Sequence, residues 1–318
     1  MPPTLDALLA KCEFFSGETT AQELGVSRTA VFKRIQALRK SGYVIEAVAG
    51  RGYRLAPRFD GLLPLEIRAK SKAKIFGKEL NVLDSTDSTQ IRLRELADRG
   101  AAEGAVLVAL RQSAGKGRMG HPWSSPKGGL WFSLLIRPSC RISEIYKLTL
   151  LFGVAVAKSL MPYGIEARLK WPNDVLVGGK KICGILLESS AEPDRIDYVI
   201  AGIGINANLS SGDLPAEFNC RSTSLRDLLG KPVDRAELLA RILGQSERLY
   251  FSSMDEGFGM VIDEWKSISC TLGRKVCVSS FGRALTGTAV DIDQDGALIV
   301  ATENGKKEKI FSGDVDFC

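Results

Sequence analysis

Gln112 to Trp123, Gln-Ser-Ala-Gly-Lys-Gly-Arg-Met-Gly-His-Pro-Trp, directly follows an apolar run, Ala105 to Leu110, that reads as a buried strand. Glycines alternate with cations here, so backbone N–H groups and two positive side chains are free to close on an anion. The residues from Gly115 to Gly120 match G-x-G-x-x-G, but a dinucleotide fingerprint needs a helix to begin at the loop. Pro122, Pro126 and the Gly128-Gly129 pair follow at once, so no helix is expected. A Walker A loop would need glycine where Leu110 stands and a hydroxyl where Gly117 stands. With both common nucleotide motifs excluded, the stretch reads either as a loop that closes on a phosphate or as a solvated basic loop.

The chain has 318 residues, 45% of them hydrophobic, enough for two or three domains with their own cores. Its net charge of +6 is unevenly spread. Between Gly25 and Arg58 eight cations stand against Glu46 alone, a net +7 that leaves about −1 for the rest of the chain. A basic N-terminal surface of this kind points to nucleic acid. Cys12, Cys140, Cys183, Cys220, Cys270, Cys277 and Cys318 are odd in number, scattered and never in C-x-x-C spacing, which suits reduced thiols in a cytoplasmic protein. His121 is the only histidine, so His-dependent nucleophilic mechanisms and His-rich metal sites are improbable, and no metal ligands are expected. Met1 to Thr4 lack the pattern of a signal sequence, and the longest apolar stretch, Leu148 to Ala157, is too short to span a bilayer, so no membrane is expected as a partner.

Along the chain, Thr4–Lys11 and Glu18–Leu24 read as short helices, and Ser27 as the N-cap of a helix over Arg28–Lys40. Val31, Ile35 and Leu38 form its inward face, and Thr29, Lys33, Gln36 and Lys40 a polar, cationic stripe suited to a major groove. Gly42–Ile45 and Gly52–Leu55 read as two strands around a basic wing, Ala49-Gly50-Arg51, giving a winged helix-turn-helix over residues 1–58. Ala56–Pro64 reads as a linker and 65–268 as a central α/β domain. There Leu80–Asp84 reads as a strand and Ile91–Arg99 as a helix, with the hydroxyls of Ser88 and Thr89 crowding its start, either as caps or as donors to a polar ligand head. Leu130–Ile136 continues the sheet, and Ser143–Met161 is an apolar helix. Lys170-Trp171-Pro172-Asn173-Asp174 precedes strands Val175–Val177 and Lys181–Leu187, joined by a hairpin at Gly178-Gly179. That turn sets Leu176 opposite Lys181 and brings Asp174 and Lys181 to one face, as an ordinary ion pair or as part of a site. In the strand Ile196–Asn206 a bare face, Gly202 and Gly204, ends at the Asn206 amide, which suits a flat ligand. Pro232–Phe251 and Asp255–Ser267 read as helices, and 269–318 as a small β-module with turns at Phe281-Gly282, Asp295-Gly296 and Asn304-Gly305.

The ordered set resembles the bacterial bifunctional biotin protein ligases that double as biotin operon repressors. It comprises the winged helix-turn-helix, Asp-Ser-Thr, Gly-Lys-Gly-Arg-x-Gly, Lys-Trp-Pro-Asn-Asp, Lys181 before x-x-Gly-Ile-Leu-x-Glu, and Gly-x-Gly-Ile-Asn, over nearly the whole chain. The resemblance implies an α+β protein with a mixed-sheet ligase domain of the biotin/lipoate ligase type and an SH3-like C-terminal β-barrel. It implies that biotin and MgATP give biotinyl-5′-adenylate, and that a lysine of the biotin carboxyl carrier protein of acetyl-CoA carboxylase then displaces AMP. Two anions meet in the first step, so Lys116, Arg118 and Lys181 would offset their repulsion. By motif, Ser88, Thr89, Gln90 and Gln112 would meet biotin, with Gly115, Lys116, Gly117, Arg118 and Trp123 closing over it. Lys116, Arg118, Trp123, Asn173, Lys181 and Asn206 would meet ATP or the adenylate. Lys181, Arg118 and Asp174 would be catalytic, Asp174 as base for the incoming amine. Ser27, Arg28, Thr29, Lys33, Gln36, Lys40 and Arg51 would face operator DNA, with a homodimer forming when adenylate is bound. Lys116 stands where the family often has arginine, Gln90 where it has asparagine, and His121-Pro122 where it has a basic pair. A biotin sensor without ligase activity, or a lipoate ligase, are the alternatives.

Overall fold

Hydroxyl caps start the first three helices. Thr4, Ser16 and Ser27 each accept from the N–H three residues on, at 3.2, 3.3 and 3.1 Å, opening α1 (Leu5–Ala10), α2 (Gly17–Glu23) and α3 (Arg28–Lys40). The computed structural model describes residues 4–192, 195–210, 212–215, 221–280 and 283–318, and the chain divides into two units. The first holds residues 1–72 and 234–241. In it Leu9, Val31, Ile35 and Leu38 bury the inner helix faces against Ile45 and Leu55 of the two-stranded wing, β1 (Ile45–Val48) and β2 (Gly52–Leu55). The first wing strand begins at Ile45, not at Gly42. Tyr43 turns into the core, its N–H bonded to Leu38 O and its hydroxyl accepting from Leu65 N, so the segment before β1 joins helix to wing. Pro64, read as the end of a linker, opens α4 (Pro64–Lys70) at a position where a missing N–H costs nothing. Leu65, where the sequence expectation begins the next domain, is buried in this first core.

The second unit is built on a seven-stranded mixed sheet. Its strands are β3 (Leu80–Leu83), β4 (Val106–Ala109), β5 (Leu130–Ile136), β6 (Arg168–Lys170), β7 (Asp174–Val177), β8 (Lys180–Glu192) and β9 (Arg195–Ile205), in the order β3-β4-β5-β9-β8-β7-β6. Only β3 and β4 run parallel. All seven residues of β5 are buried, as a continuous apolar central strand requires. The helix α5 (Thr89–Asp98) buries Leu93 and Ala97 against Leu107, Leu135, Tyr198 and Ile200 on one face. On the other, α6 (Ile145–Leu160) lays Gly153 beside Leu169 and Ile185. The Ile142–Tyr163 segment is long and apolar enough to cross a bilayer, but the burial of α6 within the protein makes it a core helix.

The remaining helices are α7 (Leu225–Leu229), α8 (Arg235–Glu256), whose first seven residues belong to the first unit, and α9 (Gly259–Ser267), packed on α6. The chain ends in a five-stranded antiparallel sheet of β10 (Lys275–Ser280), β11 (Arg283–Ile292), β12 (Leu298–Ala301), β13 (Lys307–Ile310) and β14 (Asp314–Phe317), ordered β13-β12-β11-β10-β14. The expected turns at Asp295-Gly296 and Asn304-Gly305 are present, with positive φ at both glycines. Phe281-Gly282 and Cys220 lie outside the described residues.

β8 outruns its expected end at Leu187, because Glu188–Ser190 stay paired with Ile200–Tyr198 of β9 although their polar side chains hide the strand. Ahead of α6, the Glu144 carboxylate accepts from Lys147 Nζ at 2.9 Å and from Arg141 N at 3.0 Å. The lysine bond and then the backbone bond hold its pKa down to about 2, against burial that pushes it up from 4.5. The folded value lies below the unfolded one, so this stabilisation is complete above the unfolded pKa and is lost as pH falls through about 2. Denaturant unfolding between about pH 6 and about pH 2 should therefore show stability falling at the acid end, and Glu144→Gln should flatten that part of the curve. An unchanged acid slope in the variant would remove Glu144 from the account.

Candidate functional site

Where β9 leaves the shelter of α5, its side chains on that face stop. Ile200 packs under the helix, whereas Gly202 and Gly204 present backbone, and Gly184 of β8, paired with Gly204, extends the bare strip sideways. A Cβ at Gly202 would come within 2.5 Å of the Gln90 side chain, and one at Gly204 within 2.5 Å of Trp123 Nε1. The strip thus seats Gln90 at one end and the Trp123 indole at the other. The Trp123 indole lies flat over Gly204 and Gly184 on this face.

Above the strip opens a cavity of about 1010 Å³. Ser88, Thr89, Gln90, Gln112, Lys116, Gly117, Arg118, Trp123, Asn173, Asp174, Lys181 and Asn206 all line it. Gly115 stands behind the loop, its carbonyl accepting from Trp123 N at 2.9 Å and its Cα facing the Trp123 carbonyl so closely that a Cβ would fall 2.4 Å away.

The polar end is built at the start of α5. Thr89 N and Oγ1 both donate to Gln112 Oε1, at 2.7 and 3.0 Å, and Gln112 Nε2 donates to Ser125 Oγ at 2.9 Å. Thr89 Oγ1 also lies 2.8 Å from Ser133 Oγ on β5. The Gln112 amide is thereby fixed in one orientation, and Thr89 is committed to the scaffold. Ser88, 2% exposed at the N-cap position, makes no capping hydrogen bond and lines the cavity. Gln90 Nε2 donates to Leu186 O at 3.3 Å, inside the first turn of a helix that begins two residues earlier than the expected Ile91.

The charged end comes from the hairpin and the loop. Val177 pairs with Lys180 and Leu176 with Lys181, the register that a two-residue Gly178-Gly179 turn dictates. Lys181 Nζ then lies 2.6 Å from Asp174 Oδ1 and 5.1 Å from the centre of the Trp123 ring. The Asp174 contact is an ion pair without hydrogen-bond alignment, and Oδ1 is buried with no hydrogen-bond partner. Asn173 is clamped to Ile185, its Nδ2 donating to Ile185 O at 2.8 Å and its carbonyl accepting from Ile185 N at 3.1 Å. Asn206 Nδ2 donates to Thr223 O at 3.0 Å. Trp171, 2% exposed, donates Nε1 to Gly296 O at 3.2 Å, and its N–H to Thr271 Oγ1 at 2.9 Å, which hangs the Trp-Pro-Asn-Asp corner on the C-terminal module. The Trp171-Pro172 peptide is cis.

The loop turns through a short 3₁₀ segment, Arg118–Gly120, where no helix was expected; Met119 takes a left-handed φ of 52°, which keeps the turn from propagating. Gly117 N donates to His121 O at 2.7 Å. The Arg118 guanidinium donates to Gly313 O at 3.1 Å, Ser312 Oγ at 3.2 Å and Asp314 Oδ1 at 3.4 Å. Burial lowers its pKa, and Asp314 followed by Asp174 oppose that shift. Sequence reasoning missed Ser125, Ser133, Gly184 and the Ser312–Asp314 contact. Alternation from the hairpin would turn Gly184 away from Lys181, and a β-bulge at the Val175/Leu176 step, which leaves Ile182 without a partner on β7, brings it opposite Asp174; the Arg118 partners, nearly two hundred residues away, carry no local signal either.

In the first unit the α3 stripe is presented outward: Thr29, Lys33 and Lys40 are exposed and Gln36 is half-buried. Arg28 is exposed, Ser27 spends its hydroxyl on the cap, and Arg51 at the wing rests 4.1 Å over the Phe14 ring.

Comparison with known proteins agrees along the chain. Residues 82–206 match the model of the Biotin/lipoate A/B protein ligase family, 5–54 an HTH domain, and 271–318 the Biotin protein ligase C terminal domain. The "Bifunctional ligase/repressor BirA" of Bacillus subtilis is 41% identical over 306 residues, 96% of this chain and 94% of that protein. Its namesake from Escherichia coli is 30% identical over 310 residues, 94% of this chain and 92% of that protein. Among solved structures, the biotin protein ligase from Aquifex aeolicus in complex with biotin and ATP superimposes with a TM-score of 0.66 at 33% identity, covering 75% of this chain and 98% of that one. With the glycine-floored cavity, the Lys181–Asp174 pair and near end-to-end similarity to ligase/repressors, the chain belongs to the biotin/lipoate A/B protein ligase family.

Proposed function

We propose that the protein ligates biotin to a lysine of biotin carboxyl carrier protein in two steps and represses transcription of biotin-synthesis genes when its adenylate is bound. The observation that carries the reading is the meeting, in one cavity, of a polar bed at the start of α5 with the cations Lys116, Arg118 and Lys181. Biotin's ring system would lie at the Ser88–Gln112 end and its carboxylate toward Lys181. The carboxylate oxygen attacks the α-phosphorus of ATP, the P–O bond to pyrophosphate breaks, and Lys181 with the loop cations offsets the repulsion of two anions as charge builds. Asn173 and Asn206 would stand at the adenine side.

In the second step the carrier lysine attacks the acyl carbon and AMP leaves with the bond electrons. Asp174, which lines the cavity and is ion-paired with Lys181, would take the amine proton. Trp123 and the Gly115–Gly120 loop exclude water from a mixed anhydride that would otherwise hydrolyse. Magnesium enters with ATP. The ion would be carried on the nucleotide phosphates. The exposed α3 stripe and the wing would meet operator DNA, and two copies would match a two-half-site operator.

Transfer of labelled biotin to a carrier-protein fragment, with and without MgATP, tests the ligase directly. The label should be ATP-dependent, and wild-type enzyme that never labels the fragment or exchanges pyrophosphate would overturn the reading. Lys181→Met should slow adenylation by about 100-fold or more while changing biotin affinity less than about threefold, read by pyrophosphate exchange beside calorimetry. Equal losses in both would contradict the charge role. For the DNA arm, Lys33→Ala should weaken binding to a duplex selected by the wild type and lower the slope of log K against log salt by about one. A salt-insensitive wild-type complex would remove α3 from the interface.

A further inference from the structure

We propose that Asp314, at the start of β14, is a positioning residue that latches the glycine-rich loop through Arg118 and so sets how firmly the nucleotide side of the cavity is held. The catalytic part of this rests on the ligase reading; the structural part does not.

Arg118 sits on a single 3₁₀ turn interrupted by the left-handed Met119, so no regular element fixes its direction. Yet its side chain is only 19% exposed, and a guanidinium removed from water is costly unless its donors are met. The C-terminal segment meets them. Nη1 donates to Gly313 O and Asp314 Oδ1, and Nη2 to Ser312 Oγ. Three of the five guanidinium N–H groups are thereby committed, which leaves others to turn to an anion in the cavity that Arg118 also lines. The second carboxylate oxygen of Asp314 lies 4.0 Å from His121 Nε2, so one side chain spans both ends of the 118–121 turn.

The latch point is itself anchored. Asp314 pairs with Ser279 in the β10–β14 ladder, and at the far end of β14 the Phe317 ring lies 3.7 Å from the Arg274 guanidinium and 5.3 Å from Lys170 Nζ. Residues 314–317 also line the cavity, so the strand that grips the loop is part of the same wall. The cation on a glycine-rich turn is thus held by a strand that does not depend on that turn for its own pairing.

The test uses the full-length chain with Asp314→Ala, and Asp314→Glu as the conservative variant. In ligand-free protein, trypsin cleavage after Lys116, followed by mass spectrometry, should be about tenfold faster in Asp314→Ala and near wild type in Asp314→Glu, the loss of one charge-assisted hydrogen bond being worth about that factor. In the loaded enzyme Asp314→Ala should raise KM for ATP and the rate of adenylate release by about five- to tenfold, with kcat within about twofold and biotin affinity unchanged. Wild-type cleavage and wild-type adenylate release in a folded Asp314→Ala protein would overturn the latch. Should that variant not fold, Ser312→Ala, which removes the Nη2 acceptor, should shift both readouts in the same direction to a smaller extent, and its failure to do so would count equally against the proposal. A wild-type chain that forms no adenylate would sink the ligase reading and leave the cleavage comparison to decide the latch alone.

Discussion

The cavity exists because Gly184, Gly202 and Gly204, on two neighbouring strands, carry no side chain. Any Cβ there would run into Gln90 or Trp123 at 2.5–2.9 Å, so the floor must be backbone for the walls to stand where they do. Glycine inside a strand costs about 0.5–1 kcal/mol per position relative to alanine, which the sheet offsets with a fully buried β5 on one flank and the long β8–β9 ladder on the other. Because α5 ends its cover at Ile200, the floor opens at the N-terminus of that helix, where N–H groups and small hydroxyls are already gathered. Polar recognition and the bare floor therefore arise at the same boundary.

The walls divide their tasks. Thr89, Gln112 and Ser125 are bonded mainly to one another, which rigidifies the polar end, and Ser88 keeps its hydroxyl out of the cap. At the other end the charges are balanced but not saturated. Lys181 faces Asp174 without hydrogen-bond alignment, and Arg118 is gripped from outside the loop. A rigid end that fixes orientation beside a charged end with spare capacity is what a site needs when charge must develop during reaction.

Much of this was legible in the sequence because it is written in local chemistry. Ser27 and the apolar spacing of Val31, Ile35 and Leu38 define α3 to the residue, and the Gly178-Gly179 turn fixes the register that joins Lys181 to Asp174. Cavity-lining residues named from motifs fall round one space, since each motif sits at the end of a strand or the start of a helix. What failed was non-local or masked by polarity. Glu188–Ser190 look like a loop and are held as strand by β9; Gly42–Val44 look like strand and are diverted by the burial of Tyr43. α4 begins on Pro64, the last residue of the linker signal, which masks the start of the helix, and the partners of Arg118 lie in a segment that sequence spacing cannot bring near.

Trp171 gives the C-terminal sheet a standing in the molecule that its separate match as a domain would not suggest. Through Gly296 O and Thr271 Oγ1 that sheet holds the tryptophan two residues ahead of Asn173 and three ahead of Asp174. The last fifty or so residues are therefore not a detachable cassette in the evolutionary sense. A lineage that lost or swapped them would lose the mount for the Trp-Pro-Asn-Asp corner, so the central and terminal modules are expected to travel together through gene fusions.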